Sequence, residues 1–289
     1  AGEFILTPGN IKGAFRAASA IASLEGNGII TLSQLKRGCY NTLPFTMSSK
    51  AARLNPIYTW NDLVLPQYQK NLLMTACNQV RYKYFVYQKW GFQNKMSYGK
   101  NVSMLFTGPP GTGKTMAAQV VSNELGLDVY KIELATVVSK YVGETEKNLN
   151  EIFQQAQKSQ VILFFDEADV LFSKRTEVKE SNDKYSNMEA AFLLQRMEEY
   201  DGVAILATNY IQNFDEAFKR RIKFVIDFPF PNQEQRREIW QKVFPPQLPL
   251  GELDYDYLMS KFEMSGSNIK NIALFSAFLA AADGSVRVE

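Results

Sequence analysis

Histidine is absent from all 289 residues. That absence removes Ser-His-Asp and Cys-His catalysis, imidazole-ligated zinc and imidazole pH switches together, so any general base must be a carboxylate or a lysine. Cysteine is nearly as scarce. Cys39 and Cys77 are the only two, far apart and without metal-ligand spacing, which points to a reduced, cytoplasmic compartment. Neither sign of charge dominates: 32 Lys+Arg against 30 Asp+Glu leave a formal +2. Bulk electrostatics therefore point to neither nucleic acid nor a membrane surface. Long apolar runs are missing as well, since the purely apolar stretches at 161–165 and 277–282 fall far short of the ~20 residues of a membrane-spanning helix. What remains, with 46% hydrophobic and 21% charged residues, is the composition of an ordinary globular chain with a core.

The chain contains a faint internal repeat. Residues 4–12 (FILTPGNIK) align without gaps on 262–270 (FEMSGSNIK), and an alanine-rich helical pattern follows each, ending in Glu25-Gly26 and Asp283-Gly284. The alternative is chance likeness between two amphipathic helices opened by Ser/Thr caps. A true repeat implies that residues 1–42 are the helical tail of one module and 43–56 a linker, rich in turn residues around Pro44 and Pro56, before a second module.

From Asn101 onward short apolar strands alternate with amphipathic helices, the pattern of a parallel α/β sheet. The expected strands are 102–106, 128–132, 161–166, 203–208 and 223–228. Between them Leu149, Ile152, Phe153 and Ala156 mark one helix, and Ala190, Leu193, Leu194 and Met197 another. Beyond Pro231 the pattern is helical, with Asn232 capping one helix and Gly266 opening the last.

The segment TGPPGTGKT, 107–115, fits the GxxxxGK[ST] phosphate loop, and it follows a strand and precedes a helix as that motif requires. Its glycines let several backbone N–H groups converge on one phosphate chain, and the helix dipole adds to their field. The cofactor-binding set is Gly108, Pro109, Pro110, Gly111, Thr112, Gly113, Lys114, Thr115 and Met116, with Lys114 reaching the β- and γ-phosphates of ATP. Some fifty residues on, an apolar strand ends in Asp166-Glu167. Thr115 and Asp166 would hold Mg²⁺ and Glu167 would polarise the attacking water. Another apolar strand ends in Thr208-Asn209, where Asn209 either bonds the γ-phosphate or its water, or merely occupies a strand-to-loop turn.

GPPGTGKT, FFDEAD and ATN, in this order and spacing, resemble the AAA+ family of ATPases. The resemblance implies a P-loop NTPase fold: a parallel five-stranded sheet with the phosphate-loop strand central, spanning 57–230, and a C-terminal α-helical lid at 231–289. It implies nucleotide bound between the subunits of a homo-oligomeric, hexameric ring, makes residues 1–42 similar to the lid tail of a preceding module, and assigns Asn209 as the first sensor. Less closely, residues 58–64 resemble the lining of the adenine pocket, which brings in Asp62, Leu63 and Val64. The stretch 215–221 is similar to the one that supplies arginine fingers, here Arg220 and Arg221; a solvated basic helix end is the alternative. Lys140, Tyr141 and Val142 resemble a central-pore loop that grips protein substrate, the alternative being a Tyr141 packed on its own core. The charged strip 173–187 is either a second pore loop or a solvated one. The lid lacks the arginine that many such lids carry near 266–270, leaving Lys270 or packing alone to register nucleotide.

More narrowly, VVSKYVGETEKNL, LLQRMEEYDGVAILATN and FDEAFKRRIKFVIDFPFP look like the AAA+ ATPases that accompany bacterial contractile injection systems. The expectation is an ATP hydrolase that remodels, unfolds or disassembles protein partners, with no nucleic-acid or membrane partner. The competing reading is an assembly scaffold gated by nucleotide that scarcely turns over.

Overall fold

Strand formation follows from apolar runs that can be buried on both faces. In the computed structural model, described for all residues but 1–7, 25–28, 33, 36–37, 40–49, 97–98, 100, 140, 142, 173–180, 215 and 289, with backbone alone at 181–187 and 213, six strands form one sheet. They are β1 (Ala51–Leu54), β2 (Val102–Thr107), β3 (Val129–Glu133), β4 (Ile162–Asp166), β5 (Val203–Thr208) and β6 (Phe224–Asp227), in the order β1-β3-β4-β5-β2-β6. The last five are parallel and correspond to the five expected strands. β2 is interior, between β5 and β6.

The sixth strand was not expected. β1 lies within the stretch read as linker, 43–56, and pairs antiparallel with β3 from Ala51↔Ile132 to Leu54↔Val129. Its sequence, AARL, has no apolar alternation because an edge strand gains its place by backbone pairing more than by burial.

The helices are α1 (Pro8–Leu24), α2 (Gln67–Tyr84), α3 (Lys114–Leu125), α4 (Leu134–Val137), α5 (Glu144–Ser159), α6 (Ser181–Glu199), α7 (Glu216–Lys219), α8 (Gln233–Val243), α9 (Tyr255–Lys261) and α10 (Gly266–Ala282). Side chains alternate across the sheet. Leu163 and Phe165 join Leu149, Ile152 and Phe153 of α5 and Leu193 and Met197 of α6. Ile162 and Phe164 face the other way, onto Leu73 and Cys77 of α2 and Ala117 and Val121 of α3. Each fully buried phenylalanine contributes about 1.5–3 kcal/mol.

The lid is smaller. α8 opens with a capping box in which Asn232 Oδ1 accepts from the Gln235 N–H and Gln235 Oε1 accepts from the Asn232 N–H. α9 and α10 are capped by Asp254 and Ser265. Their cluster is built on Trp240, Ile269 and Ala273.

α1 and α10 both run for 17 residues, and both ends coincide under the alignment that pairs Lys12 with Lys270. They bury adjoining parts of one helical stripe: Ala14, Ala18 and Ala22 in α1, and Ile269 and Ala273, equivalent to positions 11 and 15, in α10. At α1 the approach is close, since a Cβ on Gly38 would lie 2.3 Å from the Ala14 carbonyl oxygen.

Candidate functional site

The carboxyl ends of β2, β4 and β5 bring the chemistry together. β2 is buried along its whole length and delivers the chain into the loop 108–113. Gly108 and Gly111 have φ of 138° and 77°. A Cβ at Gly108 would stand 2.2 Å from the Phe228 carbonyl oxygen, and one at Gly111 2.1 Å from Ser267 Oγ. No side chain fits at either position, so the loop backbone is free to face a ligand. α3 starts at Lys114, directing its first N–H groups toward the same loop.

Lys114 Nζ donates to the carbonyls of Gly108 (2.7 Å) and Pro109 (2.9 Å) and to Asn209 Oδ1 (2.8 Å). The phosphate-loop lysine and the candidate sensor thus touch. Burial pushes the Lys114 pKa down, and this outweighs the opposing pull of Asp166, Asp169 and Asp227. Asp169 anchors the sensor strand: its Oδ1 accepts from Thr208 Oγ1 (3.1 Å) and from the Asn209 N–H (3.4 Å). Asp227, at the tip of β6, accepts from Thr107 Oγ1 (3.2 Å).

Asp166 closes β4. Its Oδ1 accepts the Glu167 N–H at 3.0 Å and its Oδ2 lies 3.1 Å from Lys131 Nζ. Burial pushes the Lys131 pKa down, but the hydrogen bonds and charges of Asp166 and Glu133 win and it is raised. Glu167 is exposed and left-handed, at φ 54° and ψ 45°. That backbone turns its carboxylate away from the strand line and is costly for a residue with a Cβ. Among the described residues no three His, Cys, Asp or Glu gather into a metal cluster. Mg²⁺ takes one or two protein oxygens and the rest from phosphate and water; Thr115 and Asp166 are the residues that could supply them.

The segment 56–64 sits beside this loop. Leu63 is buried, its Cδ1 3.8 Å from where a Gly113 Cβ would stand; Val64 is half-buried and Met116 packs on the same core face. Asp62 uses its Oδ2 on its own turn, accepting from the Thr59 N–H and hydroxyl at 2.7 and 2.8 Å. Asn123 and Glu124 pin the segment to α3, through the Tyr58 carbonyl (2.6 Å) and Trp60 Nε1 (2.7 Å). The lid reaches the same region by polar contacts: Ser267 N–H to the Gly111 carbonyl (3.1 Å), Lys242 Nζ to the Asn61 carbonyl (2.5 Å), and Lys270 Nζ to Tyr58 Oη (3.1 Å). Lys270 therefore meets Tyr58 of the segment 56–64.

The two arginines separate. Arg221 Nε lies 3.8 Å from Glu198 Oε1, whereas Arg220 is exposed and makes no side-chain hydrogen bond or ion pair with any described residue. Tyr141 is 72% exposed, so it does not pack on its own core. Its loop is held from within, Ser139 Oγ donating to Glu144 Oε2 (2.5 Å) and Ser139 N–H to Thr145 Oγ1 (3.0 Å). Lys140, Val142 and most of the strip 173–187 lie outside the described residues; of that strip, 181–187 belong to α6. Residues 81–92 interleave cations with exposed Tyr82, Tyr84, Phe85, Trp90 and Phe92, a stripe the sequence reading missed. Arg81 and Lys83 are already paired with Glu124 and Asp201, which leaves little free positive charge.

Sequence reasoning also missed Asp169, though it stands within FFDEAD, and Lys131, whose signal was a cation between the apolar Val129 and Ile132 of β3.

A parallel sheet with a glycine loop between strand and helix, faced by acids from the neighbouring strands, defines a P-loop nucleotide-binding domain. The sequence pattern of the ATPase family associated with various cellular activities (AAA) matches residues 104–230. An AAA family ATPase of Sinorhizobium fredii is 33% identical over 181 residues, 62% of this chain and 52% of its own length. A proteasome-activating nucleotidase of Sulfurisphaera tokodaii is 32% identical over 189 residues, 63% of this chain and 48% of its own. A 26S proteasome regulatory subunit 4 homologue of Arabidopsis thaliana is 31% identical over 195 residues, 64% and 44%. Residues 104–230 form a domain of the AAA ATPase family, and the chain spans about half the length of the curated relatives it matches.

Proposed function

We propose that this chain is one subunit of a hexameric ring that hydrolyses Mg²⁺-ATP and uses the cycle to remodel protein partners. The observation that carries the reading is the convergence of Lys114, Asn209, Asp166 and Glu167 at the carboxyl ends of three adjacent strands. In this mechanism the N–H groups of 108–113 and Lys114 bind the phosphate chain, Lys114 exchanging its carbonyl partners for phosphate oxygens. Asn209, steadied by Asp169, orients the γ-phosphate or the water. Glu167 takes the proton of that water, the role a histidine-free site leaves to a carboxylate. Mg²⁺, when bound beside Thr115 and Asp166, offsets phosphate charge. Leu63 and Val64 line the base, while Asp62 shapes the turn that presents them.

Arg220 acts on the neighbouring subunit: it is exposed, unpaired among the described residues, and in no described contact with its own phosphate loop. The exposed Tyr141, between Lys140 and Val142, grips the protein substrate; proteasome-activating relatives support a protein partner. The likeness of three segments to ATPases of contractile injection systems makes such a system the partner class. The coincident ends of α1 and α10 support residues 1–42 as the lid tail of a preceding module, with 57–230 as core and 231–289 as lid. No helix among the described residues is long and apolar enough to cross a membrane, in keeping with a cytoplasmic site of action.

The test is steady-state ATPase rate per subunit against protein concentration. The wild-type rate is expected to climb as subunits meet. Arg220→Ala should flatten it by about 10³-fold at saturation while ATP still binds, and Arg221→Ala should cost far less. A rate independent of concentration and indifferent to Arg220 rejects the shared site and leaves the scaffold reading.

A further inference from the structure

β3 and β4 are in register at their carboxyl ends, where Glu133 lies opposite Asp166. Lys131, two residues earlier, projects to the same face as Glu133. Its ammonium lies between the two acids, 3.1 Å from Asp166 Oδ2 and 3.2 Å from Glu133 Oε1. The Lys131 and Asp166 side chains retain only 26% and 22% of their exposure, against 56% for Glu133. Placing a lysine stem in this strand costs desolvation, and the ion pairs offset that cost. With Oδ1 occupied by the Glu167 N–H, both oxygens of Asp166 are held by protein groups.

We infer that Lys131 is a positioning residue for the magnesium end of the site: it fixes the Asp166 carboxylate and, as a counter-charge shared with Glu133, moderates the pull of that carboxylate on a divalent cation. The inference rests on the reading of Asp166 as the acid that faces Mg²⁺. In this arrangement Glu133 sets how much of the Lys131 ammonium is available to Asp166. A weaker Glu133 contact leaves more of the ammonium on Asp166.

The test is a titration of the whole chain, with ADP saturating, by Mn²⁺ followed through the EPR signal of the free ion. Lys131→Met is expected to lower the half-saturating Mn²⁺ about fivefold, the effect of removing one unit charge a few ångströms away in a partly solvated site. The same variant should lose about tenfold in ATP turnover, because its carboxylate is no longer fixed. Tighter metal with slower turnover is a split that partial unfolding cannot give, since unfolding weakens both. Lys131→Arg, which keeps the charge, should restore both towards wild type. Glu133→Gln, on the exposed partner, is the variant to read should Lys131→Met fail to fold; it is expected to raise half-saturating Mn²⁺ about twofold. Unchanged or weaker Mn²⁺ binding by a folded Lys131→Met, or an unmoved Glu133→Gln, overturns the inference. Absence of Mn²⁺ binding by wild type with ADP would overturn the magnesium reading itself, a result distinct from the other two.

Discussion

The α/β core and the lid treat their apolar residues in opposite ways. In the core Phe106, Phe164 and Phe165 are wholly buried, and each strand face has a helix layer against it. In the lid α10 is apolar almost all round, yet it buries only Ile269 and Ala273; Phe275 and Phe278 stay 65% and 67% exposed. A helix that is apolar on every side is the sequence of a buried element. The core therefore satisfies itself, whereas the lid presents a surface of the kind that marks an interaction site. What ties the lid to the core is polar and close to the phosphate loop, through Ser267, Lys242 and Lys270.

The largest way to break this contrast is to open a cavity on each side. Phe164→Ala is expected to destabilise the core by about 3–5 kcal/mol, lowering the main transition in denaturant. Trp240→Ala should unravel the lid cluster and increase proteolysis there while leaving the main transition nearly in place. One cooperative transition shifted equally by both variants would mean that the lid folds as part of the core. Gly111→Ala strikes the junction: its Cβ has no room beside Ser267, and φ is left-handed. Nucleotide affinity, measured by calorimetry, should fall about tenfold as loop and lid are pushed apart.

A smaller effect comes from pH. Burial would push the Glu124 pKa up, but its bonds from Trp60 and Arg81 prevail and hold it below the usual carboxylate range. A depressed folded pKa contributes stability that is complete above the unfolded value, about 4.3, and is lost as pH falls through the folded one. Glu124→Gln should flatten that acid limb in thermal melts, and an unchanged limb would remove Glu124 as its source. Least of all, Lys270→Ala removes an exposed contact to Tyr58 and should change stability by less than about 1 kcal/mol; a larger loss would show that the lid hangs on that lysine.

Strands β2, β4 and β5 were legible because strands covered on both faces read as nearly uninterrupted apolar runs, and β3 and β6 because their apolar residues alternate with polar or exposed ones. β1 was not, since AARL is placed by pairing with β3. α2 was also passed over: it buries only Leu73, Ala76 and Cys77 in 18 residues, too weak a stripe to stand out. α6 starts at Ser181, nine residues ahead of Ala190, where the apolar periodicity that announced it begins. In the site, spacing was enough to bring Lys114, Asp166, Glu167 and Asn209 together, because a phosphate loop fixes which strand ends must adjoin it. The roles of Asp169 and Lys131 depend on which strands are neighbours, and the different surroundings of Arg220 and Arg221 depend on Glu198, far away in sequence. The lid's contact with Gly111 depends on Ser265 and Ser267 folding back over the loop, which nothing in the order of residues announces.

Glu167 sits in a backbone conformation that glycine adopts freely and glutamate does not. With Glu167 in the proposed role of general base, thermal tolerance and turnover ask for different residues at one position. A selection for heat resistance alone would enrich glycine or asparagine at 167, and each such gain would be made at the expense of the carboxylate. Variants recovered that way would be more durable ATP binders and poorer catalysts, a trap for any attempt to stabilise this domain by screening on melting temperature.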